Sequence, residues 1–124
     1  MTSLNVMVVD DSGLTAKKVS KMLEDLGHHV VKVCKTGREA IDGYRQANPD
    51  LVTMDITMPD MNGIEATEKI KAQFQDAIII MVTSHGQKQM VMDAIAAGAM
   101  GYVLKPVKKD KLQESIDRVV AKST

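Results

Sequence analysis

Five times along the chain, a short run of apolar residues is followed by a segment in which apolar residues recur at helical spacing. The runs are Leu4 to Val9, Val30 to Cys34, Leu51 to Met54, Ala77 to Val82 and Tyr102 to Leu104. They are rich in Val and Ile and almost unbroken by polar residues, the pattern of strands buried on both faces of a sheet. Parallel strands need long crossovers, and five amphipathic segments supply them. Their apolar positions are Val19, Met22, Leu23 and Leu26; Ala40, Ile41 and Tyr44; Ile64, Thr67, Ile70 and Phe74; Met90, Val91, Ala94 and Ile95; and Leu112, Ile116, Val119 and Val120. Right-handed crossovers place helices on both faces. The expected fold class is therefore α/β: a (βα)5, doubly wound, five-stranded parallel sheet in the order 2-1-3-4-5. Five units are too few for an eight-stranded barrel.

Local signals mark the joints. Ser12 is placed to cap the first helix and Gly27 to stop it. Thr36 and Glu39 have capping-box spacing ahead of the second, and Gly98 closes the fourth. Pro59 and Gly63 in MPDMNG carry the chain through a turn into the third. The 124 residues suit one domain spanning 1–124. No linker follows AKST, which favours a stand-alone protein.

Sixteen basic and sixteen acidic side chains cancel, so no net field selects nucleic acid or an anionic membrane as partner. No apolar stretch approaches the roughly 20 residues of a membrane span, and MTSLNV lacks a signal-like core. The expected location is the cytoplasm and the expected state a monomer. Cys34 has no disulfide partner and reads as a small core residue. Most of the ten methionines fall on apolar periodic positions, as core filler does.

Open α/β sheets place their chemistry outside the carboxyl ends of the strands, at the switch point between strands one and three. Asp10 and Asp11 follow strand one, Asp55 follows strand three, Thr83 and Ser84 end strand four, and Lys105 follows strand five. Three carboxylates brought this close repel by roughly 4 kcal/mol per close pair at an effective dielectric near 20, and so call for protonation or a cation. An all-oxygen set favours a hard ion, Mg²⁺ first, with Mn²⁺ or Ca²⁺ behind it. Lys105 adds a positive charge and Thr83 a hydroxyl, both suited to phosphoryl oxygens. Asp55 is then placed to act as a carboxylate nucleophile that forms an aspartyl phosphate.

The motifs VVDDS, MDITMPDMNG, MVTSHG and GYVLKP, in that order and over essentially the whole chain, resemble the receiver domain of bacterial response regulators, in particular the single-domain chemotaxis (CheY-like) type with its flavodoxin-like fold. The resemblance implies that Asp55 accepts a phosphoryl group from a phosphohistidine of a sensor kinase. It implies that Asp11, Asp55 and the backbone carbonyl of Thr57 bind Mg²⁺, with Asp10 helping through water. It further implies that Thr83 and Lys105 contact the phosphoryl group, that Tyr102 changes rotamer with it, and that the Lys105–Pro106 bond is cis. The implied output is a changed face of helix four, strand five and helix five, read by an effector such as a flagellar motor switch component; a phosphatase is a further implied partner. Val107 stands where the family commonly has Phe. Thr57 and His85 stand at variable positions thought to tune the life of the phosphoryl group.

Several plainer readings compete. A lone Asp at a strand end is ordinarily a solvated turn residue; the set of three with Lys105 is not. Thr83 and Ser84 could cap helix four, Tyr102 could be a core aromatic, and His85 reads as a solvent-facing loop residue. His28 and His29 carry no metal spacing, and KPVKKDK reads as a solvated face. A phosphatase acting on a separate substrate would want an acid where Thr57 stands, and a flavin module would want a donor-rich loop where DDSG stands. The protein is therefore expected to be a signalling switch and not an enzyme. The intact acidic set argues against a receiver fold kept only for binding.

Overall fold

The computed structural model describes residues 3–123. Met1, Thr2 and Thr124, at the ends of the expected 1–124 domain, lie outside the described residues. The strands are β1 (Asn5–Val9), β2 (His29–Cys34), β3 (Leu51–Met54), β4 (Ile79–Thr83) and β5 (Gly101–Leu104). They alternate with helices α1 (Gly13–Asp25), α2 (Gly37–Ala47), α3 (Gly63–Gln73), α4 (Lys88–Ala97) and α5 (Lys109–Ser123). All strand pairs are parallel, in the order β2-β1-β3-β4-β5. This is the expected doubly wound, flavodoxin-like sheet. Among the described residues no helix is long and apolar enough to cross a membrane.

Because side chains alternate across a strand, each central strand feeds two cores. Met7 and Val9, Val52 and Met54, and Ile79 and Met81 face α2, α3 and α4, against Ala40, Tyr44, Ala66, Ile70 and Ala94. Val6 and Val8, Leu51, and Ile80 and Val82 face α1 and α5, against Ala16, Val19, Leu23, Leu112, Ile116 and Val119. Met58 and Met61, from the loop after β3, join the first of these cores, as flexible filler that adapts to irregular gaps.

The caps follow the sequence with one change. The Ser12 hydroxyl accepts from the Thr15 amide, and Asn62 does the same for Glu65 at α3. At α2, Thr36 accepts from the Glu39 amide, but the Glu39 carboxylate accepts from Lys35, one residue earlier than in a reciprocal box. The N-cap position of α4 is Gln87, which makes no side-chain capping bond, so Thr83 and Ser84 do not cap it. Gly98, at φ 113°, ends it in the left-handed region that glycine enters without a Cβ clash.

Burial departs from expectation on both edge strands and on α4; on the edge strand β5, Leu104 is exposed at 51%. β2 is an edge strand, with a bulge between Val30 and Lys32, and its Val31 and Val33 are exposed. A Val-rich run does not distinguish an edge from a centre. On α4 the inward stripe is Met90, Ala94 and Ala97, at i, i+4 and i+7, and Ile95 turns out to solvent at 61% exposure.

Candidate functional site

The residues at the strand ends are held in place by the sheet itself. Asp10, one past β1, donates its amide to the Cys34 carbonyl at 3.0 Å; Asp55, one past β3, donates to Val9 at 2.9 Å; and Lys105, one past β5, donates to Thr83 at 2.8 Å. Each functional residue thus extends its ladder by one bond, so the registers of neighbouring strands bring these side chains together.

Acidic oxygens of Asp10, Asp11 and Asp55 lie within 4.8 Å of one another. Asp10 and Asp55 are buried and Asp11 is exposed at the mouth. The Lys105 ammonium stands 3.0 Å from Asp10 and 3.4 Å from Asp55. The second Asp10 oxygen accepts from the Ser12 amide at 2.9 Å, which turns the start of α1 around the site. The Lys105–Pro106 bond is cis.

One ammonium faces three carboxylates, and the imbalance shows in proton affinity. Burial and the neighbouring Asp10 charge push the Asp55 carboxyl from an ordinary 3.8 to about 6, against the pull of Lys105. Burial alone would lower Lys105, but its hydrogen bond to Asp10 and the Asp55 charge outweigh that and hold it above the usual lysine range. The donor set fits a hard divalent cation: oxygen only, clustered within reach of one ion, and carrying more negative charge than Lys105 offsets.

Gly63 sets the position of Asp55 from behind. Its amide donates to the Ile56 carbonyl at 2.7 Å, and a Cβ at Gly63 would fall 2.0 Å from the Asp55 carbonyl oxygen. Only glycine lets the start of α3 approach this closely. The sequence marks Gly63 as a turn residue; its tie to Asp55 becomes visible only in three dimensions.

The other proposed site residues meet at His85. Thr83 is fully buried, and its hydroxyl accepts from the His85 amide at 3.2 Å. The exposed Thr57 hydroxyl shares a 2.8 Å hydrogen bond with His85 Nε2. The Tyr102 hydroxyl donates to the His85 carbonyl at 2.5 Å. His85 is therefore half-buried and bonded to three elements, where a solvent-facing loop residue was expected. Two of these three bonds use its backbone, which side-chain chemistry does not announce. Tyr102 is half-buried with its hydroxyl engaged, so it is more than core filler. The lysines Lys108, Lys109 and Lys111 are exposed, as expected of a solvated face.

Comparison with known proteins bears on the family. Residues 6–117 match the response regulator receiver domain. The chain belongs to that family. It is 40% identical over 115 residues to the chemotaxis protein CheY of Bacillus subtilis, covering 93% of this chain and 96% of that protein. It is 38% identical to the CheY of Thermotoga maritima, over 92% and 95% of the two chains. Among solved structures it superposes on the CheX–CheY–BeF3–Mg complex from Borrelia burgdorferi with a TM-score of 0.90 and 33% identity, covering 94% of this chain and 88% of that chain. The protein is thus a CheY-like receiver domain of the two-component response regulator type.

Proposed function

We propose that the protein is a phosphorylation-dependent signalling switch, with Asp55 as acceptor, and not an enzyme that turns over a separate substrate. The observation that carries the reading is the convergence of the Asp10, Asp11 and Asp55 oxygens within 4.8 Å, with Lys105 seated between Asp10 and Asp55. The Asp55 carboxylate attacks the phosphorus of a phosphohistidine on a sensor kinase. A P–O bond forms as the P–N bond breaks, and its electron pair returns to the imidazole. Asp55 needs no general base, since its ionised form is the nucleophile. Lys105, freed from Asp55 as that carboxylate becomes an acyl phosphate, donates to the phosphoryl oxygens.

Asp10, Asp11 and Asp55, with the Thr57 carbonyl, would hold Mg²⁺, which when bound supplies positive charge to the phosphoryl oxygens. The likeness to a CheY chain bound to BeF3 and Mg supports this assignment. Thr83 would exchange its bond with the His85 amide for one to the phosphoryl group, moving the loop to which Tyr102 is tied. The face of α4, β5 and α5 then changes for an effector. The CheY relatives favour a chemotaxis effector such as a flagellar motor switch component, in the cytoplasm, and the CheX–CheY complex favours a second protein partner, for which our reading is a phosphatase.

Incubation with Mg²⁺ and phosphoramidate tests the reading. The expected result is a mass gain of one phosphoryl group that Asp55→Asn abolishes and that chelation of the ion slows. An unchanged wild-type mass would sink it.

A further inference from the structure

His28 lies at the opposite end of the sheet from the acidic cluster, and the phosphorylation chemistry leaves it unused. It is 3% exposed. The pairing of β1 with β2 begins at Asn5 and His29, so the amide of the buried Leu4 lies outside the ladder and donates instead to His28 Nδ1 at 3.1 Å. A backbone amide can only donate, so the neutral ring carries its proton on Nε2. Nε2 meets Gln113 Oε1 at 3.1 Å, and the Gln113 amide nitrogen donates to Asp117 Oδ1 at 2.7 Å. An amide donor stands at one end and a carboxylate acceptor at the other, so the direction of every bond between them is determined.

Gln113 and Asp117 lie on one stripe of α5 with Lys109, whose ammonium pairs with Asp25 of α1 at 3.2 Å. The chain from Leu4 to Asp117 thus ties α5 to the start of the sheet. Beside it is a cavity of about 260 Å³, lined by Leu4, His28, Gln113 and Asp117 among others. Asp117 is the charged side chain that lines it among the described residues. On α1, Asp25 is paired with Lys109 and Lys21, and Glu24 accepts from the Val30 amide. On β2, His29 is exposed; at β1, the nearby carboxylate of Asp50 accepts from the Asn5 amide.

We propose that His28 is a proton-sensitive clasp on α5, closed when the ring is neutral and opened when it is protonated. A solvent proton adds to the Nδ1 lone pair and sets N–H against the Leu4 N–H. That bond must break, and the ring can regain an acceptor only by moving. Since α5 borders the face assigned to the effector, any consequence for signalling rests on the function proposed above. The clasp itself needs neither phosphorylation nor Mg²⁺.

The test uses ¹⁵N-labelled, unphosphorylated, Mg²⁺-free protein, followed by NMR as the solution is acidified from about pH 8 until the ring protonates. The expected result is an Nε2–H tautomer at high pH. On acidification the ring charges together with shifts at Leu4 and Gln113, and amide exchange along α5 accelerates. In Gln113→Leu, which leaves His28 bonded to Leu4, α5 exchanges about tenfold faster at high pH, the worth of roughly one hydrogen bond. Its α5 no longer responds to acid. An Nδ1–H tautomer, a ring that charges without moving Leu4 and α5, or a Gln113→Leu protein that behaves like wild type would each overturn the proposal. Neither a phosphodonor nor the ion is present, so a failure here is distinct from a failure of the phosphorylation switch.

Discussion

Asp55→Asn should stabilise the metal-free protein. Moving a carboxyl from 3.8 to about 6 means that charging Asp55 in the folded state costs about 3 kcal/mol more than in the unfolded chain, at about 1.4 kcal/mol per tenfold change in acidity. That figure already includes the attraction of Lys105, so the loss of that ion pair is counted. Lys105 keeps Asp10 as a partner at 3.0 Å in the variant. For a chain of this length 1 kcal/mol corresponds to roughly 3 to 5 °C in Tm, so the variant should melt about 10 °C above wild type at about pH 8 in EDTA.

The sign with pH follows from proton binding. The folded state holds a proton on Asp55 at a higher pH than the unfolded state does, so wild-type stability rises as pH falls through about 6 toward about 4. The advantage of the variant should therefore shrink to about 1 kcal/mol at about pH 4.5 and vanish near about pH 3. Thermal unfolding by circular dichroism measures both. Equal midpoints at about pH 8, or a difference that does not shrink with acid, would refute the view that Asp55 is charged at a cost. Millimolar Mg²⁺ should raise wild type and narrow the gap, because the ion binds the folded acidic set.

Two glycine substitutions should have opposite outcomes. Gly63→Ala drives a Cβ into the Asp55 carbonyl, and denaturant unfolding should show a loss of roughly 3 kcal/mol or more together with weakened Mg²⁺ binding. Gly43→Ala, in the middle of α2, meets the outer carbons of the Lys32 side chain, which can swing aside, and the Cys34 sulfur at an ordinary contact distance of 3.5 Å. Helix propensity should then dominate, and the same assay should show a gain of up to about 1 kcal/mol. Lys71→Met removes an ammonium that caps the carbonyls of Gln75 and Ala77 at 2.6 and 2.9 Å, and should cost about 1 to 3 kcal/mol by the same measurement. Burial pushes the Cys34 thiol up to about 11, so a thiol reagent at neutral pH should label it at the rate of unfolding and not faster.

The sheet and the acidic site were legible because both depend on short-range rules. An apolar run reads as a strand, the first polar residue after it reads as a strand end, and parallel pairing puts all such ends on one side. Asp10, Asp55 and Lys105 follow from that logic alone. Exposure did not follow: Val31 and Val33 on β2 have the same residue types as the buried β1, and only the position of a strand in the sheet separates them. His85 and His28 failed to stand out for a related reason. Their partners, Thr57 and Tyr102 for one and Leu4 and Gln113 for the other, are 17 to 85 residues away in sequence. Much of the bonding also uses backbone atoms that every residue possesses.

The division between sheet and site also explains how this site can be held under electrostatic load. Carboxylates within 4.8 Å repel by about 3 kcal/mol per pair at an effective dielectric near 20. Side chains free to rotate would relieve that repulsion by parting. Here Asp10 and Asp55 cannot part far, because their amides are bonded to neighbouring strands and Gly63 closes the space behind Asp55. The bond that fixes Asp55 lies between β1 and β3, both buried on both faces, where exchange with water is least available. Sheet cohesion thus keeps the charges together, and whatever supplies positive charge to them, an ion or the Lys105 ammonium, gains the relief as binding energy. A site on flexible loops would spend that energy on ordering itself; in this fold the ordering is done when the strands pair, which leaves the relief available to bias one packing of the molecule over another.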